Sequence, residues 1–304
     1  MSVCSDLRAS VAARAFTLML ITLLLIALVP DVVRAAEEFP DALPDAAIAR
    51  GDGEIAAAWL GEPTDRYRHG ILGDAIEGGA LIVRLRDGRE VRYRLPQEQV
   101  FEDRQVRLVE LTRNPPVEMA VVVSDVEYGS ALAVYGLVGG TIEMLARTPW
   151  IGRSNRWLNP VAIADMTGDG RIEIALVETP HIGGELQVWR MERNGSTLGG
   201  YAMRPVATLD GFSNHAIGSR EQGLGLLLPA GDKGRRRLLL PENGRRSMAL
   251  VAVTRGAVER VWRHDLDGEI DGPPVIDESA GSSDEGMRVV IPLRGGARQV
   301  LTLP

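Results

Sequence analysis

The chain has 304 residues, 45% of them hydrophobic and 25% charged, which supplies enough apolar side chain for a packed core and excludes a disordered chain. Its formal net charge of −7 argues against nucleic acid as a partner. A single cysteine, Cys4, excludes a disulfide scaffold.

The first 35 residues differ in kind from the rest. Arg8 and Arg14 precede an uncharged run from Ala15 to Val29, and Val33-Arg34-Ala35 closes in small residues. Basic, apolar and small-residue regions in that order read as a secretory signal peptide cleaved after Ala35. The alternative is an uncleaved anchor, but the run of fifteen residues falls short of the roughly 20 that span a bilayer. A periplasmic or secreted location is expected, with no membrane span in the mature chain. Cys4 would leave with the signal. Residues 1–35 hold three arginines and two aspartates, so the remainder carries 31 basic and 39 acidic side chains, and nucleic acid stays excluded. Lys233 is the sole lysine beside 33 arginines, a ratio that resembles the codon bias of a GC-rich bacterial genome.

After a short segment, 36–45, the chain from 46 to 304 reads as repeated all-β units. VAIADMTGDGRIEI at 161–174 aligns without a gap on VRLVELTRNPPVEM at 106–119, and a stretch ending at Leu238 fits the same template. Five short apolar runs follow the loops: Ile55-Ala56-Ala57, Met119-Ala120-Val121, Ile174-Ala175-Leu176, Leu238-Leu239-Leu240 and Val289-Val290-Ile291. A second marker comes after each run, as in Gly78 to Val83, Gly129 to Val134 and Gly183 to Val188. Turns such as Arg86-Asp87-Gly88 and Arg193-Asn194-Gly195 then signal hairpins, since Asp, Asn and Gly accept positive φ. Each unit predicts four short antiparallel strands, and no helix is expected after the signal.

Repeated four-stranded sheets predict a β-propeller of about five blades, because radial packing protects sheet edges. The last unit shows three strands, and residues 37–46 or Ala47-Ile48-Ala49 are candidates to complete it. An open solenoid or a two-domain sandwich is the alternative.

One loop carries an acidic pattern. From Asp165 to Glu173, oxygen-bearing side chains fall at positions 1, 3, 5 and 9 (Asp165, Thr167, Asp169, Glu173), with Gly170 at position 6 and the Arg171 carbonyl available at position 7. Hard oxygen donors at this spacing suit Ca²⁺ rather than zinc or copper. An Asx turn made by the same aspartates without metal is the alternative. The aligned fourth unit has Pro229, Gly231 and Lys233 at the donor positions and cannot hold a divalent cation. The second keeps Glu110, Thr112, Asn114 and Glu118, but Pro115-Pro116 replaces the glycine turn, and the first keeps Asp52-Gly53 in a loop two residues shorter.

A strand, then D-x-T-x-D-G-x-x-E, then an apolar strand resembles the FG-GAP or VCBS-type repeat of integrin-α-like bacterial propellers. The resemblance is specific at 161–174 and degenerate elsewhere. It implies a propeller with one structural Ca²⁺ at Asp165, Thr167, Asp169, Arg171 and Glu173. It also implies a loop face opposite the metal hairpins, to which fall Asp65, Tyr67, Arg68, His69, Asp74, Asn155, Arg156, Trp157, His181, Asn214, His215 and Arg220.

Donors, acceptors and flat rings gathered on one face suit a polar ligand, either protein or carbohydrate. The leading expectation is a binding or scaffold module. The alternative is a hydrolase or lyase on a polysaccharide or other polar polymer, using the face with His69 and His215. A third reading gives these residues only the task of tying loops together. No H-E-x-x-H, G-x-S-x-G or phosphate loop occurs in the chain. Arg50-Gly51-Asp52 and the sequon Asn194-Gly195-Ser196 carry no function in this reading, and the basic Lys233 to Arg237 reads as a solvated hairpin end, with an acidic partner or a lipid head group as the alternative.

Overall fold

The computed structural model describes residues 38–112, 117–197, 199–231, 234–278 and 286–304. The signal segment at 1–35 lies outside these residues, as do Asn114, Pro115, Pro116 and Lys233. Among the described residues every named element is a strand, and every pairing between named strands is antiparallel.

β1 (Ala49–Arg50), β2 (Ile55–Thr64), β3 (Glu77–Leu85) and β4 (Glu90–Arg94) form a meander, and Gly88, at φ 89°, turns the β3–β4 hairpin. β5 (Gln99–Phe101) links it to a second meander of β6 (Arg107–Val109), β7 (Glu118–Asp125), β8 (Gly129–Val138) and β9 (Thr141–Arg147). Because β5 pairs with β3 through Gly78 and Phe101 and with β7 over three residues, the two meanders count as one nine-stranded sheet. A third sheet orders β10 (Leu158–Ala164), β11 (Glu173–Glu178), β12 (Glu185–Arg193) and β13 (Tyr201–Asp210). A fourth orders β14 (Leu226–Leu227), β15 (Arg237–Pro241), β16 (Ser247–Val253) and β17 (Val258–Asp265). β18 (Val275–Ile276), β19 (Met287–Pro292) and β20 (Arg298–Leu303) close the chain in a three-stranded sheet.

All five apolar runs sit in the second strand of a meander or sheet: β2, β7, β11, β15 and β19. Side chains alternate along a strand, so each run serves two faces. In β7, Val121 and Val123 join the core with Leu60 and Leu81, whereas Val122 joins Leu158, Ile174 and Leu176. In β11, Ala175 and Val177 pack with Leu238 and Leu240 of β15, and Leu239 turns the other way onto Val289 and Ile291. Consecutive sheets are therefore stacked face to face, each gluing the next. The fourth strands lie outermost and are wetter, β17 being largely exposed.

The N-terminal segment does not complete the last sheet. Ala49–Arg50 is β1, and Phe39 packs edge-on against Trp59 with ring centroids 4.7 Å apart. Trp59, Ala57, Ala80 and Ile82 form the outer apolar face of the first meander, and Phe39, Ala42 and Ile48 cover it. That face has no preceding sheet to bury it, which is why the segment is drawn there. Contacts also reach back along the stack. Gly218, between the third and fourth sheets, donates its N–H to the Ile71 carbonyl (2.9 Å), and Gln222 Nε2 reaches Asp103 Oδ1 (3.2 Å), both in the first half of the chain.

Candidate functional site

The β10–β11 hairpin and the β11–β12 loop lie at opposite ends of the third sheet, so the acidic loop and the histidine face are separated by the length of β11. In the acidic loop, Asp165 acts first on its own backbone. Its Oδ1 accepts from Gly168 N (2.7 Å) and Asp169 N (3.2 Å), and its Oδ2 from Gly170 N (2.7 Å). Glu173, wholly buried, accepts from Met166 N (2.8 Å) and from the Thr167 hydroxyl (3.2 Å). Glu118 closes the equivalent loop of the second meander in the same way, accepting from Leu111 N (2.9 Å) and the Thr112 hydroxyl (2.6 Å).

Oxygens of Asp165, Asp169 and Glu173 come within 4.8 Å of one another, as a metal would need. The space between them is not free, however. Arg190 of β12 stands directly opposite Glu173 in the strand register, and its Nη2 contacts Glu173 Oε1, Asp169 Oδ2 (3.2 Å) and Thr167 Oγ1 (3.4 Å). Arg171, expected to lend its carbonyl, has its guanidinium 3.6 Å from Asp169, and that of Arg255 is 3.8 Å away. Burial would raise the Asp169 pKa, but the Arg171 amide and the Arg190 charge outweigh it and hold the carboxyl below its ordinary value. Arg190 thus pairs with both Asp169 and Glu173, while the exposed guanidiniums of Arg171 and Arg255 approach Asp169 from the solvent side.

At the other end, four loops meet: β2–β3, β9–β10, β11–β12 and β13–β14. His69, from the β2–β3 loop, places Nδ1 2.7 Å from Glu102 Oε1, and Glu102 is wholly buried just after β5. Ser124 donates to the other Glu102 oxygen (2.5 Å), and the Trp157 indole N–H donates to the Glu102 carbonyl (3.0 Å). Trp157 carries His181 stacked at 6.1 Å with planes 9° apart, and His215 lies 4.8 Å from the same ring. His215 Nε2 sits 2.9 Å from the Ser219 carbonyl, which can only accept, so that nitrogen carries the proton. In a neutral His215 the Nδ1 then accepts from His181 Nε2 (2.9 Å), and His181 Nδ1 is left with a bare lone pair.

Burial pushes His181 down to about 3, helped by His215, and pushes His215 down to about 4, helped by the Arg245 charge. His69 and His181 line a small cleft of about 130 Å³ with Asn155, Trp157 and Thr179. Asn155 (φ 54°) and Thr179 (φ 47°) both hold left-handed backbone, which is costly for a β-branched residue and concentrates at functional sites. Ile182 and Ile217 rim the cleft and are 61% and 72% exposed. A second cleft of about 610 Å³, shared through His181 and Ile217, runs past Ser213, Asn243, Arg245 and Arg294.

The other expected face residues divide by role. Tyr67 is buried, and its hydroxyl accepts from Asn155 N (3.2 Å). Arg156 lines the small cleft, its Nη1 donating to the Asn155 carbonyl (3.0 Å). Asp74 pairs with Arg220 (2.8 Å), which also pairs with Asp45, so these three pin loops together. Asn214 is buried and exchanges hydrogen bonds with Asn159, each amide donating to the other's carbonyl (3.2 Å). Among the described residues Asp65 and Arg68 pair with each other at 3.4 Å, largely exposed. The Ser-Asn pairs at 154–155 and 213–214 are not equivalent: the first asparagine is exposed and the second buried. Glu102, Arg190 and Arg245 were not singled out by the sequence. Arg190 did carry a signal, a charge set among Val188, Trp189 and Met191 in a buried strand.

No protein-family model matches the chain, and no curated protein matches it.

Proposed function

We propose that the chain is an exported binding protein, periplasmic or secreted, in which the sheets are the blades of a five-bladed FG-GAP/VCBS-like propeller and the loop face around His69, Trp157 and His181 receives a polar partner. Face-to-face stacking and the reach of Gly218 and Gln222 back to the first half of the chain support blades set around a common axis, a ring left open where the N-terminal segment rather than the last sheet caps the first blade. The binding assignment rests on one observation. Loops from four parts of the chain line one cleft rimmed by exposed isoleucines, and two imidazole nitrogens of its lining residues, His69 Nε2 and His181 Nδ1, have no protein partner among the described residues. Ca²⁺ has no part in this proposal.

Its test uses His69→Asn, whose amide keeps a donor for Glu102 but removes Nε2, together with Ile217→Ser. Both are screened against soluble oligosaccharides and peptides beside the wild type. Loss of binding with the thermal midpoint unchanged supports the site, and full binding by both variants rejects it.

A hydrolase or lyase is the second reading, favoured by the Glu102–His69 pair, since a buried carboxylate orienting an imidazole is how a general base is positioned. Turnover of any polymer in the same screen, abolished in His69→Asn, selects it.

A further inference from the structure

Spacing and convergence make the Asp165–Glu173 loop look like a cation site, yet an arginine of the same sheet already fills it. The placement follows from backbone register: Glu173 and Arg190 are directly opposite on β11 and β12, so their side chains leave the sheet on one face, side by side. Arg190 is 7% exposed, its Nη2 touches donor-loop oxygens of Thr167, Asp169 and Glu173, and its Nε is buried without a partner. A buried guanidinium bears that cost only where charge-assisted bonds offset it. Glu173 is meanwhile clamped by Met166 N, as Glu118 is by Leu111 N, so the last acidic position folds the hairpin with or without an ion.

We propose that the Arg190 guanidinium is the resident cation of this loop, and that Ca²⁺ enters only when that side chain is removed. The loop is then a metal-type hairpin locked by a tethered counter-ion, indifferent to chelators and to the divalent ions around an exported protein.

The experiment titrates CaCl₂ alone into metal-free, full-length wild type, Arg190→Gln and Arg190→Lys, read by calorimetry and thermal unfolding. Wild type and Arg190→Lys are expected to give no saturable binding and the same midpoint in chelator and in Ca²⁺. Arg190→Gln is expected to bind, with its midpoint rising by about 5–10 °C at a hundred times its Kd. Adding Asp169→Asn to Arg190→Gln should abolish that rise, which maps it to this loop. If Arg190→Gln does not refold without metal, recovery in Ca²⁺ alone supports the proposal. Wild-type binding as tight as that of Arg190→Gln overturns it, and so does an Arg190→Gln chain that neither binds Ca²⁺ nor refolds in it.

Discussion

His69 and Glu102, 33 residues apart, form a half-buried pair with 2.7 Å between Nδ1 and Oε1, and it joins the β2–β3 loop to the connection after β5. Removing the imidazole takes one donor from a buried carboxylate that keeps the Ser124 hydroxyl, so His69→Ala should cost about 1–3 kcal/mol, the range for a buried polar group left short of a partner. Adding Glu102→Gln to that variant should recover part of the loss, because a neutral amide costs less to bury. A double-mutant cycle in urea checks this, and additive losses would mean the two groups do not interact.

The fold was legible where the physics is local. The run Ile174-Ala175-Leu176 announces a strand buried on both faces, and that is where β11 splits its side chains between two cores. Asp87-Gly88 announces a hairpin, and Gly88 makes it at φ 89°. Fates set by distant partners were not legible. Nothing near Glu102 says that it meets His69, and nothing in Ser-Asn says that Asn214 is buried against Asn159 while Asn155 stays exposed. The acidic loop shows both sides: its carboxylates converge as their spacing implies, but Arg190 arrives from another strand through a register that one sequence does not reveal.

Acid should weaken the protein through the paired imidazoles. His181 and His215 are held at about 3 and about 4 against an ordinary 6.5, so below pH 6.5 the unfolded chain binds protons that the folded chain refuses. Stability falls as pH drops from 6.5 toward 4, and at pH 5 one such imidazole contributes about 2 kcal/mol of the loss. His181→Gln should flatten the fall in thermal midpoint between pH 7 and pH 5 relative to wild type. An unchanged slope would show that carboxylates elsewhere govern it.

Glu77 works in the opposite direction. It is buried at the start of β3, its Oε1 has no partner, and burial together with Glu102, Asp74 and Asp103 pushes its pKa up to about 10. The folded chain keeps this proton where the unfolded chain has lost it, so the contribution of Glu77 is full below pH 4.5 and drains away as pH rises toward 10. Glu77→Gln cannot ionise and should be more stable than wild type at pH 8, with the gap closing at pH 4.5. Urea unfolding at the two pH values measures it.

Gly183 and Gly184 separate backbone strain from crowding at one turn. Both have positive φ, 88° and 53°, so alanine at either pays the left-handed penalty of about 1–2 kcal/mol. They differ in what a methyl would meet. Beside Gly183 no atom lies within 4 Å, whereas a Cβ on Gly184 would fall 1.6 Å from the Phe212 carbonyl oxygen, in the connection leaving the third sheet. Gly129, at the same place in the second meander, would collide likewise with the Arg153 carbonyl at 2.3 Å. In the second meander and the third sheet, the glycine at the start of the third strand is therefore the surface on which the following connection rests. Gly183→Ala should lower stability by about 1 kcal/mol, while Gly184→Ala, which must push that connection away, should lose more than about 4 kcal/mol. Equal losses from the two in denaturant unfolding would mean that the connection does not press on the sheet.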